Sequence, residues 1–208
     1  LDVAVETRDG GGTRLERAEI VSGAASLRAT GEFAADGFPT ALTVAAELGR
    51  GDVAVPVPGG RAKRASLAVT YGDRAPWKAT LRLEDFQGVE ARLATADVTA
   101  SGTARDLADP AKRALAFDLS GTLAGLAAAR PGEAPALRSP TRIGGRGAWQ
   151  AGRPTTVERL AIEDGNLAAT WTGSIGANEI AGVWRVAVAD LAPFSGLAQR
   201  RLGGGVDL

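Results

Sequence analysis

The chain has 208 residues, enough for one large or two small domains, and its 24 Lys and Arg residues balance 24 Asp and Glu residues. This balance argues against a surface for nucleic acid or for an anionic membrane. The chain contains no His and no Cys, which excludes a thiolate nucleophile, a Ser-His-Asp triad, disulfides and a zinc site built from the usual ligands. We therefore expect a protein that is not an enzyme, with no catalytic residue, metal site or cofactor. The chain has no apolar run of about 18 residues, so no transmembrane segment is predicted.

Short segments of alternating polarity, separated by turn residues, follow one another along the chain and predict an all-β fold. Strands are predicted near 1–5, 13–21, 24–34, 40–48, 65–71, 76–86, 89–93, 97–104, 113–126, 141–150, 155–163, 166–175 and 179–190, with an edge strand or loop at 51–57 and a last strand from 206. The proline-rich stretch 127–140 predicts a surface excursion. Apolar residues at loosely helical spacing between Pro193 and Gly203 predict one short helix near the C-terminus.

One strand pattern recurs at a fixed interval, which predicts an extended repeat architecture. The pattern is centred on Gly31, Gly102 and Gly173, and both intervals are 71 residues (102 − 31 and 173 − 102). We interpret residues 1–208 as a single β-rich segment with approximate repeats at 13–83, 84–154 and 155–208. The chain has no Met and opens on a strand-like sequence, so we expect it to be a fragment of a longer protein.

A sheet with one apolar face has to cover that face, and the sequence offers no layer of amphipathic helices to do so. Two halves of the sheet could pack as a sandwich, or the sheet could curve around its own apolar side. Many inward positions are Ala or Gly, whereas a sandwich core needs bulky side chains. These small residues could instead line an open groove in an extended, curved antiparallel sheet, and the inward residues leave both alternatives open. The three repeated glycines are interpreted as bends or bulges, and Trp171 and Trp184 either as core or as contacts to an apolar ligand.

The residues that carry a family resemblance are Leu27-Arg-Ala-Thr-Gly31, Ala169-Thr-Trp-Thr-Gly173 and the passage from Val186 through Asp190-Leu-Ala-Pro193 to Leu208. Together they resemble the TamB (translocation and assembly module) and AsmA-like family, in which an Asp-Leu-x-Pro stretch and a short helix interrupt successive β-rich repeats. The resemblance is most specific in residues 155–208. It implies a taco-like trough of β-sheet with an apolar interior.

The resemblance also implies a place and a role. The parent protein would be anchored in the inner membrane of a Gram-negative bacterium, with this segment in the periplasm. It would carry phospholipid toward the outer membrane and, with an outer-membrane barrel partner, support the assembly of outer-membrane proteins. The residues expected to line the lipid groove are Leu27, Phe33, Val44, Leu115, Phe117, Ala169, Trp171, Trp184, Val186 and Val188.

Two other functions stay open at this point. A structural sandwich or solenoid, used as a scaffold or adhesin, would fill its apolar faces with its own side chains. A chaperone-like groove would instead accept an unfolded β-strand by edge addition.

Overall fold

The computed structural model describes residues 2–7, 11–49, 53–89, 91–128, 140–192, 195 and 201–208. Their strands are β1 (Asp2–Thr7), β2 (Thr13–Val21), β3 (Ala25–Phe33), β4 (Pro39–Leu48), β5 (Val55–Val57), β6 (Gly60–Ala62), β7 (Arg64–Gly72), β8 (Pro76–Gly88), β9 (Ala91–Arg105), β10 (Ala114–Ala124), β11 (Ala127–Ala128), β12 (Thr141–Gln150), β13 (Thr155–Glu163), β14 (Leu167–Ile175), β15 (Ile180–Val188) and β16 (Val206–Asp207).

All sixteen strands belong to one open antiparallel sheet. Its main path runs β1-β2-β3-β4-β7-β8-β9-β10-β12-β13-β14-β15-β16, while β5, β6 and β11 pair beside it. The all-β prediction is confirmed. The sandwich alternative is wrong, because the described strands form one continuous layer and no second sheet packs on it.

Two predicted segments fall largely outside the described residues. The short helix expected near the C-terminus would occupy 193–202, of which only 195, 201 and 202 are described. The described part of the chain contains no α-helix. Of the predicted excursion at 127–140, residues 129–139 lie outside the described ranges.

The strand order shows a unit of four strands that occurs three times. The units are β2-β3-β4-β7, β8-β9-β10-β12 and β13-β14-β15-β16. In each unit the longest connection lies between the third and fourth strands, at 49–63, 125–140 and 189–205. The proline-rich excursion therefore occupies the same position in the second unit as the connection after β4 does in the first. The expected repeat boundary at 83/84 lies inside β8, whereas the second unit begins with that strand at Pro76.

Glycines on the sheet make room for aromatic rings. Gly102 lies in two regular ladders, opposite Trp77 on β8 and Phe117 on β10, with no bulge in either ladder. A methyl group at Gly102 would overlap the carbonyl oxygen of Ala116 and come within 2.8 Å of the Trp77 ring nitrogen, which donates a 3.0 Å hydrogen bond to that carbonyl. Gly102 is thus a site of close approach and not the predicted bend.

In the third unit a ring also lies close to the glycines, but the facing strand β13 shifts its register beside Gly173, as β2 does beside Gly31, so the predicted bulge is found at these two positions. A Cβ atom at Gly173 would lie 2.7 Å from the ring of Trp171, and a Cβ atom at Gly182 would overlap the same ring. Cross-strand glycines with rings lying over them are a known way to stabilise glycine in a sheet. The repeated glycine position therefore keeps space for flat aromatic side chains.

Candidate functional site

The cross-strand pairs place one apolar row across the sheet. Paired residues of antiparallel neighbours point to the same face, so the row can be followed from strand to strand. It consists of Ile20, Leu27, Ala46, Leu67, Leu81, Val98, Gly121, Ile143, Ile162, Ala169 and Val186. We call the side of the sheet that carries this row the apolar face, and the opposite side the polar face.

A second apolar row runs parallel to the first. On each strand it lies two residues away from the first row, in the same direction across the whole sheet. It consists of Ala29, Val44, Val69, Ala79, Ala100, Leu119, Gly145, Leu160, Trp171 and Trp184. Neither row contains a charged residue. From β3 to β15 the path has ten strands, so at about 4.8 Å per strand the uncharged surface is about 43 Å long.

All ten predicted lining residues lie on the apolar face. Six of them belong to the two rows: Leu27, Val44, Ala169, Trp171, Trp184 and Val186. Phe117, opposite Gly102, and Leu115, opposite Ala104, continue the face toward one end of the strands. Phe33 and Val188 lie on the same face by strand alternation. Their role in lining a lipid groove stays a prediction.

Exposure shows how far the face is covered by the chain itself. Of the predicted lining residues, Ala169, Trp171 and Val188 are buried and Trp184 is 54% exposed. The other six are half-buried: Leu27, Phe33, Val44, Leu115, Phe117 and Val186. A face packed against a second layer would bury nearly all of these side chains. Most of the apolar face therefore remains in contact with solvent.

All four tryptophans of the chain lie on the apolar face. Trp77 is opposite Gly102, Trp149 is opposite Leu115, and Trp171 and Trp184 face each other on β14 and β15. The rings of this last pair are 6.1 Å apart and tilted by 33°. Trp171 is only 5% exposed, so it belongs to the packed part of the face, while Trp184 presents its ring to solvent.

Sequence reasoning missed the lining residues of β7, β8, β12 and β13. These strands contribute Leu67, Leu81, Ile143, Leu160 and Ile162 to the two rows. The expected lining set came from the repeated pattern, which covers only the second and third strands of each unit. The alternation of apolar and polar residues in β7 and β8 was the signal that could have identified the rest.

Two cavities lie on the polar face. One of about 700 Å³ has a floor of small residues that includes Ala68, Thr80, Thr99 and Ser120, and a second of about 540 Å³ adjoins it. Their walls carry opposite charges that pair with each other, as in Arg82 with Asp97 at 2.9 Å and Arg146 with Asp118 at 2.8 Å. Because these positive and negative charges pair with each other, the two cavities do not favour an anionic ligand over a cationic one.

One end of the strands is held together by a cluster of loop residues, which we call the turn margin. It comprises the turns 34–38 and 72–75 and the loop 106–113. Arg113 donates to Asp36 at 2.7 Å and, through Nε, to the carbonyl oxygen of Leu107 at 2.8 Å. Its guanidinium lies 3.9 Å from the centre of the Phe38 ring.

The turn margin closes part of the apolar face. Leu107 is 1% exposed, and its amide donates to Asp73 Oδ1 at 3.3 Å. Four strand steps separate β4 from β10 along the path, about 19 Å in a flat sheet. Arg113 is held at the start of β10, where its carbonyl accepts from the Ala151 amide. Since Asp36 and Arg113 nevertheless touch, this margin brings its two ends closer together than a flat sheet would. Here the chain fills its own apolar face, unlike the two central rows.

The electrostatics of the turn margin predict an acid-sensitive contact. The hydrogen bond from Arg113, with a further one from the Phe38 amide, lowers the pKa of the Asp36 carboxyl below its usual value. A lowered folded pKa gives stability that is present above the unfolded pKa and is lost as pH falls through the folded pKa. We expect thermal stability to fall below about pH 4, the ordinary Asp range.

The control for this prediction is Asp36→Asn. Glu19 and Asp109 also have lowered pKa values, through Arg17 and Lys112 respectively, so part of the acid sensitivity belongs to them. The difference between the melting temperatures of the native chain and the Asp36→Asn variant isolates the Asp36 contribution. A difference that stays constant from pH 7 to pH 3 would contradict the assignment.

Comparison with known proteins adds no relative. A scan against family models gives no match, and searches of curated proteins and of solved structures give none either. Within the described ranges no helix is long and apolar enough to cross a membrane. The same residues contain no group of three or more His, Cys, Asp or Glu side chains arranged to hold a metal ion.

Proposed function

We propose that this chain is a non-enzymatic β-sheet segment that shelters the acyl chains of phospholipids. In a Gram-negative periplasm it would form part of an inner-membrane-anchored protein that conducts lipid between the inner and outer membranes. Through the whole protein and an outer-membrane barrel partner it would also support outer-membrane protein assembly. The periplasmic setting and the barrel partner come from the family resemblance of the sequence.

The observation that supports lipid binding is the continuity of the uncharged rows. Soluble monomers rarely leave an apolar patch of more than a few hundred Å² open to water. Here the two rows cross ten strands without a charge and without a covering element in the described residues. Such a surface needs an apolar occupant, and it offers that occupant a path with no interruption.

The energetics fit an acyl chain. Removing one CH₂ group from water is worth roughly 0.8 kcal/mol, so a tail of about 16 carbons needs shelter worth on the order of 10 kcal/mol outside a bilayer. Rows of uncharged side chains, in which Leu, Val and Ile alternate with Ala and Gly, give that shelter along the sheet. Because successive positions are chemically alike, the tail can move along the rows with no bond made or broken.

The experiment is native mass spectrometry and lipid extraction of the chain after export to a bacterial periplasm. We expect co-purified phospholipid, with about a tenfold loss, equivalent to about 1.4 kcal/mol, in Phe117→Asp and in Val186→Asp. Ala116→Asp is the matched control, since Ala116 adjoins Phe117 but lies exposed on the polar face. Circular dichroism checks that each variant keeps its sheet.

The tryptophans give a second readout. Phospholipids brominated in the acyl chain should quench tryptophan fluorescence of the native chain, because all four indole rings lie on the apolar face, and should quench the Phe117→Asp variant much less. A stably folded chain that carries no lipid and shows no quenching would overturn the proposal. Binding of extended peptides that survives both Asp variants would favour the chaperone-like function.

A further inference from the structure

Two buried oxygen atoms on the apolar face have no hydrogen-bond partner among the described residues. They are Thr141 Oγ1, on the first residue of β12, and Asp164 Oδ2, in the turn after β13. Thr141 as a whole is 1% exposed. Native structures bond nearly all of their buried polar atoms, because an unpaired atom gives up its bonds to water without replacement. These two oxygens are therefore candidates for contact with a ligand.

Strand register places the two side chains next to each other. Arg142 of β12 pairs with Glu163 of β13, so Thr141 and Asp164 are the next residues along the same two strands. Facing residues of antiparallel strands have Cα atoms about 4.5–5.5 Å apart. Each of the two lies two residues along its strand from a member of the first apolar row, and so on the apolar face.

The turn after β13 fixes the Asp164 carboxylate through its other oxygen. Oδ1 accepts hydrogen bonds from the amides of Asn166 and Leu167, both at 2.6 Å. The Asp164 amide donates to the carbonyl oxygen of Leu167 at 2.8 Å, which closes the turn. The carboxylate is thus held by one oxygen while the other is left for a different partner. An acceptor held in this way loses little conformational entropy when a ligand binds.

The two oxygens belong to a third row of the apolar face. This row runs beside the first row, on the side away from the second, and consists of Ala25, Leu48, Ala65, Leu83, Ala96, Leu123, Thr141, Asp164, Leu167 and Val188. Asp164 is the only charged residue in it. Leu123 and Leu167, on either side of the pair, are half-buried, and so is Asp164. The pair therefore lies at the boundary between packed side chains and solvent.

A primary ammonium group has the chemistry that this pair needs. It carries a positive charge and three N–H donors, and both oxygens can accept. With hydrogen bonds of about 2.8 Å to each side, one nitrogen can bridge acceptors on neighbouring strands. Ca²⁺ and Mg²⁺ prefer about six or more oxygen ligands, many more than the pair offers.

We propose that Asp164 and Thr141 bind the primary ammonium group of a phospholipid headgroup, while the acyl chains lie on the uncharged rows. The inference rests on the proposed lipid function and adds to it a preference among phospholipids. Phosphatidylethanolamine has the required group. A choline headgroup has no N–H to donate, and the Asp164 carboxylate repels an anionic headgroup.

The test is a competition among phospholipids for the whole chain. The chain is incubated with vesicles of equal parts phosphatidylethanolamine, phosphatidylcholine and phosphatidylglycerol, and then separated from them. Its lipid is extracted and measured by mass spectrometry. We expect the bound lipid to be enriched about tenfold in phosphatidylethanolamine over each of the other two, relative to the vesicles.

Three variants assign the preference to the site. Asp164→Asn keeps an oxygen for the two turn amides but replaces Oδ2 by an NH₂ group, so the enrichment should disappear while the total lipid stays the same. Thr141→Val removes the second acceptor at nearly constant shape and should reduce the enrichment about threefold. Glu163→Gln is the matched control, because Glu163 adjoins Asp164 but pairs with Arg159 on the polar face, and it should leave the enrichment unchanged. Circular dichroism checks that each variant keeps its sheet.

The lipid function and the ammonium site fail in different ways. A native chain that takes up no lipid overturns the lipid function and this inference with it. Lipid bound in the proportions of the vesicles overturns only the ammonium site, and so does an enrichment that Asp164→Asn retains. Equal enrichment of phosphatidylcholine would show that charge alone selects the headgroup, which overturns the hydrogen-bonded site.

Discussion

Replacing Gly102 by alanine is expected to lower the free energy of unfolding by about 3 kcal/mol, the upper part of the range for an overpacked site. The added methyl group would overlap the carbonyl oxygen of Ala116, which belongs to the backbone of β10 and cannot rotate away. It would also displace the Trp77 ring, whose nitrogen donates to that same carbonyl at 3.0 Å. Either the ladder between β9 and β10 opens or the tryptophan leaves its hydrogen bond.

The matched control for this prediction is Gly144→Ala. Gly144 also lies inside a strand, β12, but the nearest atom to its added Cβ would be 3.7 Å away, an ordinary contact. Alanine there should leave the stability unchanged or raise it by about 0.5 kcal/mol, because glycine loses more backbone entropy on folding. Denaturant unfolding measures both. Equal stabilities of the two variants would show that Gly102 is not a close-packed position.

The strands could be predicted because period-two alternation is a local property of the sequence. The 71-residue interval also placed Gly31, Gly102 and Gly173 on equivalent strands β3, β9 and β14. Alternation failed where two strands were predicted at 89–93 and 97–104 and the structure has the single strand β9. Asp85, opposite this break on β8, has a φ of 50°, and alternation of exposure slips there in both strands while pairing continues. The short strands β6 and β11 were not predicted either.

The contacts that close the turn margin could not be predicted from the sequence. Asp36 and Arg113 are 77 residues apart, and no local pattern links a turn aspartate to that arginine. Their meeting depends on how the sheet brings the margins of β4 and β10 together across the intervening strands. The role of Gly102 was equally hidden, because it depends on the Trp77 ring brought to it by strand register. Sequence reasoning therefore found the apolar face. The turn margin and the close packing at Gly102 could be found only from the structure.

Replacing Arg113 by methionine is expected to cost about 3 kcal/mol of stability, the upper end of the cost of leaving a buried hydrogen-bonding group without its partner. The Arg113 side chain is 9% exposed, whereas that of Asp36 is 40% exposed, so the carboxylate left behind can be hydrated again. The loss comes mainly from the carbonyl of Leu107 without its donor and from the lost contact with Phe38.

Arg113→Lys should recover only part of this stability. Lysine keeps the charge, but it lacks the planar fork that reaches both Asp36 oxygens, at 2.8 and 2.7 Å, while Nε bonds to Leu107. Combined with Asp36→Asn, the Arg113→Met variant should lose less than the sum of the two single losses, because both changes break one interaction. Strict additivity would show that the two side chains act independently.

The structural effect of Arg113→Met should be confined to the turn margin. In a repeat architecture each unit contacts mainly its neighbours, so local opening does not unfold the whole chain at once. Hydrogen exchange should therefore speed up at the Leu107 amide, which donates to Asp73, and stay slow at Val186, which is bonded to Leu208. The expected pattern is an apolar face opened at one margin while its central rows stay in place. Lipid retained by Arg113→Met but lost by Val186→Asp would then place the occupant on the rows themselves.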